Sequence, residues 1–427
     1  MNKPDDFSIP RMEKQTFPNG MDFYHRKTDA EGLLKLDLIL PAGIQYQKRP
    51  LLARLTNALL KEGSRGMTSA QIAERFDYYG AFILLGCGLE NAYVNLYTPK
   101  KFFSFTLKLL NELLRYPSFP QKELDISLEK NLQRHLIELQ KVQVLAGLEI
   151  NKCLFGPEHP YAKQLQEEDF DSFDSSLLKE FHRNHYSAHK CIALLSGEVN
   201  EEDYKLVEQV LGTEPWGAAG CTPTKEAPIR PLKPQKVLVE KAGSLQTALH
   251  FSIPLKIDKH HNDFKKLKFV NTLLGGYFGS RLMSSLREEK GYTYGISSNI
   301  NVHRKSSHLD IRCQTDVKYA EAVAQGVYDE IKKLREQEVS GQEMNLVRNH
   351  LNGEFARLMD GPFSLSDLYM HTCSLGLNVS YYEEQMEIFQ QIQAREVMEL
   401  AQRYLVPDEF YEVWAGGNNQ AAETLIQ

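Results

Sequence analysis

From Leu51 onward apolar positions recur every three or four residues: Leu52, Leu55, Leu59 and Leu60 fall on one helical face, and Gly63 ends it. Thr68 stands where an N-cap is needed, so SAQIAERFDYYG predicts the next helix. Ahead of these, Asn19-Gly20 makes a tight turn into the strand-like MDFYHR, and a second strand candidate, LLKLDLILP, follows. Ala81 to Tyr97 reads as paired strands, Pro99 to Arg115 as a long amphipathic helix, and Pro117 to Gln140 as another helix. Phe155 to Tyr161 is a turn-rich loop, after which a helix from Ser175 to His185 and the strand CIALLSGEV complete the run.

Between Gly212 and Gln235 the chain is rich in Pro and Gly and has no apolar period, which predicts a linker at 221–235 between units at 1–220 and 236–427. Beyond it, HFSIP, the helical DFKKLKFVNTLL and a helix starting near Lys318 replay the first half. Asn57-Ala58-Leu59-Leu60 is echoed by Asn271-Thr272-Leu273-Leu274 at an offset of 214, and Leu40-Pro41 by Ile253-Pro254 at 213. The expectation is an α+β protein of two tandem homologous units, each a mainly antiparallel sheet with helices packed on one face.

The densest local pattern is Leu274 to Ile296, LGGYFGSRLMSSLREEKGYTYGI. Gly275, Gly276 and Gly279 disfavour a regular helix, whereas Ser280 to Glu289 reads as one through the stripe Leu282, Met283 and Leu286. Gly291 stops that helix, and Tyr292, Thr293, Tyr294 and Ile296 are strand types, so Arg287 and Tyr294 flank a helix-to-strand turn.

Composition narrows the class. At 42% hydrophobic and 25% charged, the chain is that of a soluble globular protein too long for one ordinary domain. A formal net charge of −6 argues against a general nucleic-acid binder. The opening residues have no apolar signal region, Asp5 and Asp6 disfavour a transit peptide, and no stretch approaches the length of a membrane span. Six cysteines without CxxC spacing suit free thiols in a reducing compartment, so a cytoplasmic protein is expected.

The Gly-Gly, Ser-Arg-Leu, Leu-Arg-Glu-Glu and Gly-Tyr-Thr-Tyr segments, taken in order, resemble the C-terminal half of the pitrilysin/insulinase family of zinc peptidases and their processing-peptidase relatives. The resemblance covers nearly the full chain, with Phe17-Pro18-Asn19-Gly20, Ala42-Gly43, Leu60 to Ser64, His159 to Tyr161 and Ser196 to Val199 as first-half landmarks. It implies a tandem duplication of the LuxS/MPP-like metallopeptidase fold. It also implies that Arg287 and Tyr294 help hold a peptide at its scissile bond.

In active members the helix before a segment like Leu60 to Ser64 carries His-x-x-Glu-His, which binds zinc and supplies the general base. Here the run is Arg54-Leu55-Thr56-Asn57-Ala58. A guanidinium stays protonated where a cation belongs, and an amide takes no proton. The remaining family ligand, a glutamate within Leu128 to Leu139, is Glu129 or Glu138, with the register open. The expectation is therefore a chain that carries no metal and no catalytic residue of its own. It would bind peptide or unfolded polypeptide as the non-catalytic half of a metalloendopeptidase, with zinc only on a paralogous partner. Two alternatives stay open: a zinc peptidase with non-standard ligands, and a structural homodimer.

Other candidates are weaker. His185 and His189 have i,i+4 ligand spacing without an evident third ligand, and His260-His261 reads as a solvated loop pair. His159 suits a structural hydrogen bond, and Gly275 to Gly279 lacks the Gly-Lys-Ser/Thr of a phosphate loop.

Overall fold

A computed structural model describes residues 8–171, 173–217 and 228–417. Part of the expected linker, 221–227, lies outside the described residues, and 228–235 is exposed irregular chain.

The first sheet contains β1 (Glu13–Thr16), β2 (Asp22–Lys27), β3 (Leu33–Leu40), β4 (Phe82–Cys87), β5 (Ala92–Pro99) and β6 (Ile192–Gly197), in the order β1-β2-β6-β3-β5-β4. Only β2 and β6 run parallel. Helices of this half include α1 (Leu52–Ala58), α2 (Ser69–Tyr78), α3 (Phe103–Arg115), α4 (Gln121–Glu138), α5 (Val142–Phe155) and α6 (Ser175–His185). Local chemistry sets several boundaries: Thr68 and Gln71 form a reciprocal capping box at α2, and Gly20 adopts φ +87° in the turn before β2.

The second sheet contains β7 (Lys236–Glu240), β8 (Gln246–Pro254), β9 (Thr293–Val302), β10 (Ser307–Asp316) and β11 (Tyr411–Gly416), in the order β9-β10-β8-β11-β7. Again a single pair, β7 and β11, is parallel. Relabelled in sequence order, this is the first sheet without its edge strand β1. Register confirms the echo, since Gly197 pairs with Leu34 and Gly416 with Thr247. Both glycines have positive φ, and a Cβ on either would stand 2.2–2.3 Å from the carbonyl oxygen of Leu33 or Gln246. Only glycine fits that crossing.

Alternation along β3 and β8 divides each sheet into two faces. Leu34, Leu36 and Leu38 face the helices of their own half, as do Leu249, Phe251 and Ile253. The opposite faces are covered by exchange. Leu365, Leu368 and Tyr369 of α10 (Ser364–Leu375) pack on Ile39 and Leu194 of the first sheet, while Val142, Ala146, Ile150 and Cys153 of α5 pack on Ala248, Tyr411, Val413 and Ala415 of the second. Here α7 (Asn262–Asn271), α8 (Ala320–Glu336), α9 (Gly341–Leu358) and α10 (Ser364–Leu375) belong to the second half. Each half is thus closed by a helix from the other, which joins the two through apolar burial.

Candidate functional site

Helix α1 begins after Leu51, which holds a left-handed conformation at φ 69°. Leu52, Ala53, Leu55 and Thr56 are buried, whereas Arg54 and Ala58, four residues apart, are exposed on one stripe. That stripe and the side of Asn57 line a cavity of about 760 Å³. Asn57 itself is buried, and its amide donates to the hydroxyl of fully buried Tyr186 at 3.1 Å. The residue at the general-base position is therefore a structural bridge between α1 and the chain following α6.

Opposite α1, helix α4 presents Asn131, Arg134, His135 and Glu138 to the same cavity, a spacing of three, four and seven residues that keeps them on one face. Of the two glutamates considered, Glu138 lines the cavity and pairs with Lys141 at 2.6 Å, while Glu129 is exposed and is not part of the wall. Cys87, at the end of β4, also faces the cavity, but burial pushes its thiol up to about 11, so it stays protonated near neutrality. Among the described residues no three His, Cys, Asp or Glu side chains stand together as a metal set. With a guanidinium and an alkyl group at the two histidine positions, the wall does not fit zinc. The helical spacing on α4 was the available signal for Arg134 and His135; it identifies nothing until α1 is known to face it.

In the second half, α7 runs into a π turn at Thr272–Gly276. A Cβ on Gly275 would lie 2.7 Å from Ser298 Oγ and 2.8 Å from its backbone nitrogen, so the glycine permits close approach to β9. The helix expected over Ser280 to Glu289 spans 281–289, and Met283–Glu289 is a π turn rather than regular α-helix. Leu282 and Leu286 are fully buried, and Arg281 makes a bidentate pair with Glu343 at 2.6 and 2.9 Å that anchors the helix to α9. The guanidinium of Arg287 lies 4.7 Å from the ring centre of Phe278. Gly291, at φ +63°, ends the helix by donating to Arg287.

The start of β9 carries a bulge between Thr293 and Ile296, where Thr293 Oγ1 donates to the Gln314 carbonyl and accepts from the Gly295 amide. The bulge turns Tyr294 out of the ladder, leaving it 92% exposed. It lines a second cavity, of about 560 Å³, with Gln143, Ala146 and Gly147 of α5 and His250 and Arg312 of the sheet. Arg287 is not in that wall. Helix α5 stands between the two cavities: Val144, Leu148 and Asn151 face the first, while Gln143, Ala146 and Gly147 face the second.

His185, His189, His261 and His159 have local settings. α6 ends at His185, which sits 4.4 Å from Phe181 and 5.4 Å from Tyr46, with burial first and then Lys190 and Lys48 lowering its pKa to about 4. His189 falls in the next 3₁₀ turn, so the i,i+4 spacing spans a break in the helix. His261 accepts from Asp263 as the N-cap of α7, and His159 Nδ1 accepts from the Tyr161 amide at 3.2 Å.

A duplicated two-sheet shell whose metal-motif helix lacks a donor set defines the class: a peptidase-like protein without the peptidase metal site. The chain is similar to pitrilysin/insulinase-like M16 peptidase homologues, among them proteins named as inactive or non-peptidase. Residues 172–351 match the family model described as Peptidase M16 inactive domain. The chain is 25% identical over 358 residues to a protein of Helicobacter pylori named non-peptidase homolog YmxG, covering 81% of this chain and 80% of the relative. The crystal structure of a peptidase M16 inactive domain from Pseudomonas fluorescens superimposes with a TM-score of 0.84 at 26% identity, covering 95% of this chain and 98% of that one. The periplasmic protease PqqL of Escherichia coli shares the fold, with a TM-score of 0.80 at 14% identity over 97% of this chain and 47% of its own length.

Proposed function

We propose that this chain is the non-catalytic, peptide-holding subunit of a two-chain zinc endopeptidase. The observation that carries the reading is an asymmetry: Arg54, Asn57 and Ala58 occupy the metal-motif helix without a ligand set, while Tyr294 stands exposed beside an open cavity. Substrate adds as an extended strand at a sheet edge, a mode that tolerates varied sequences because backbone groups supply the hydrogen bonds. β4 and β9 are both edge strands, and Tyr294 lies on the second of them. The phenol of Tyr294 and the guanidinium of Arg287 donate to peptide carbonyls and orient the bond to be cut. Zinc resides on a paralogous partner, which supplies the nucleophile.

Among the described residues, no helix is long and apolar enough to cross a membrane, and Cys87, Cys153, Cys191, Cys313 and Cys373 are free thiols. Free thiols support a cytoplasmic site of action.

The test is co-purification with a zinc-bearing homologue followed by peptide cleavage assays. The reading expects the mixture to cleave and each chain alone to be silent. A mixture that cleaves nothing, or an isolated chain that cleaves and is stopped by a chelator, contradicts it.

A further inference from the structure

We propose that the cavity beside Arg54 selects acidic peptide segments, so that the site which in a zinc peptidase holds a cation here holds the carboxylates of the bound polypeptide. This rests on the reading that the chain holds peptide, and it adds the substrate class. Arg54, Arg134 and Lys163 line the cavity and make no side-chain hydrogen bond or ion pair within the described residues. Two further cations in the wall are already engaged: Arg49 donates to the carbonyls of Asp169 and Asp171 and stacks 4.0 Å over Phe173, and Lys48 lies 3.6 Å from Glu180. Against them stand Glu138, committed to Lys141, and Glu158. Three uncommitted cations therefore face one uncommitted anion, in a chain whose net charge is −6. A concave wall of one sign concentrates the potential and attracts the opposite charge.

The geometry next to the cavity says how such a segment would lie. β4 is the edge of its sheet, and its Leu85 and Cys87 line the cavity. A peptide added to β4 would send alternate side chains to the same side as Leu85 and Cys87. Acidic residues spaced two apart would then reach Arg54 and Arg134, where guanidinium and carboxylate match as a bidentate fork.

The experiment measures fluorescence anisotropy of three labelled twelve-residue peptides on the full chain. The peptides differ only at alternate positions, which carry Glu, Gln or Lys. The Glu peptide is expected to bind at least about tenfold tighter than the Gln peptide, the size of one charge-assisted contact, and to lose most of that advantage at high salt. Arg54→Glu with Arg134→Glu is expected to remove or invert the preference, whereas Glu158→Lys increases affinity for the Glu peptide a few fold. All three residues are exposed, so unchanged thermal melting checks that the variants fold. Equal binding of the three peptides, or a preference that survives Arg54→Glu with Arg134→Glu, overturns this inference and leaves the peptide-holding role standing. Binding of none of them overturns both.

Discussion

The outer faces of the two sheets occupy equivalent places and are finished differently. In the first, Lys35 and Asp37 are fully buried and 3.0 Å apart, and α10 closes over them with Asp367 on the ammonium and Ser366 donating to Asp37 at 2.6 Å. In the second, the same register positions are Ala248 and His250, with His250 set 3.3 Å from Asp310. There the crossing helix brings Gln143 together with Ala146 and Gly147, and the small size of the last two leaves the cavity that Tyr294 overlooks. Both faces are covered by a helix from the other half, but the first is sealed by a buried ion pair and the second keeps a cavity beside its helix. Topology is common to both; the polar groups chosen for a few positions decide which face is structural and which is available.

Removing the lock is expected to have the largest effect. Asp37→Ala leaves Lys35 buried beside fewer partners and is expected to cost about 3–5 kcal/mol in urea denaturation. His250→Ala is expected to cost only about 1 kcal/mol, because Asp310 keeps Asn301 and Arg312 as donors. Similar losses at both sites would break the contrast.

Acid is next. Burial is the leading cause that lowers His182 and His185 in the first half and His303 in the second to about 4, from an ordinary 6.5. The unfolded chain takes up protons that the folded chain refuses, so stability is full above pH 6.5 and lost as pH falls toward 4. A decline of roughly 3 kcal/mol between pH 7 and pH 4.5 is expected, allowing for solvent screening. His182→Gln with His185→Gln is expected to flatten the profile more than His303→Gln; the reverse would place the acid-sensitive contacts in the other half.

The glycine crossings sharpen the likeness rather than the difference. Gly197→Ala and Gly416→Ala each set a methyl against a carbonyl oxygen at a positive φ, and each is expected to lose about 2–3 kcal/mol by calorimetry. A large loss in one half only would mean the halves do not share this joint.

Neighbouring residues of α1 differ in the same way. Asn57→Ala strands the Tyr186 hydroxyl in the core and is expected to cost about 1–2 kcal/mol. Arg54→Ala and Tyr294→Ala, both exposed, are expected to change stability by less than about 0.5 kcal/mol. A costly Arg54→Ala would mark that guanidinium as structural rather than as part of a binding wall.

Much of this architecture was legible in the chain. Asn19-Gly20, Thr68 and Gly291 act within a few residues of themselves, so their turns and caps followed from local chemistry. The echo of Asn57 by Asn271 gave the duplication, and both asparagines are buried on the helices that pack beside their sheets. Helix α5 was not legible: it carries apolar residues on several sides because one side packs on the opposite sheet and others line cavities, which erases the period of an ordinary surface helix. The exchange of α5 and α10 is likewise a long-range arrangement with no local signature. For the site, the spacing of Arg54, Asn57 and Ala58 showed what was missing, but not that Asn57 would turn inward to Tyr186 while Arg54 faced Arg134 across a cavity.

The central claim is that this chain steadies a peptide for a metal it does not hold. It is tested most directly by kcat/KM for peptide cleavage by the chain mixed with a zinc-bearing homologue, comparing wild type with an Arg287→Ala, Tyr294→Phe double variant. The account predicts that the mixture cleaves, that neither chain alone does, and that the double variant slows the mixture by about a hundredfold with zinc content unchanged. An unaltered rate in the double variant, or zinc-dependent cleavage by this chain alone, would contradict it.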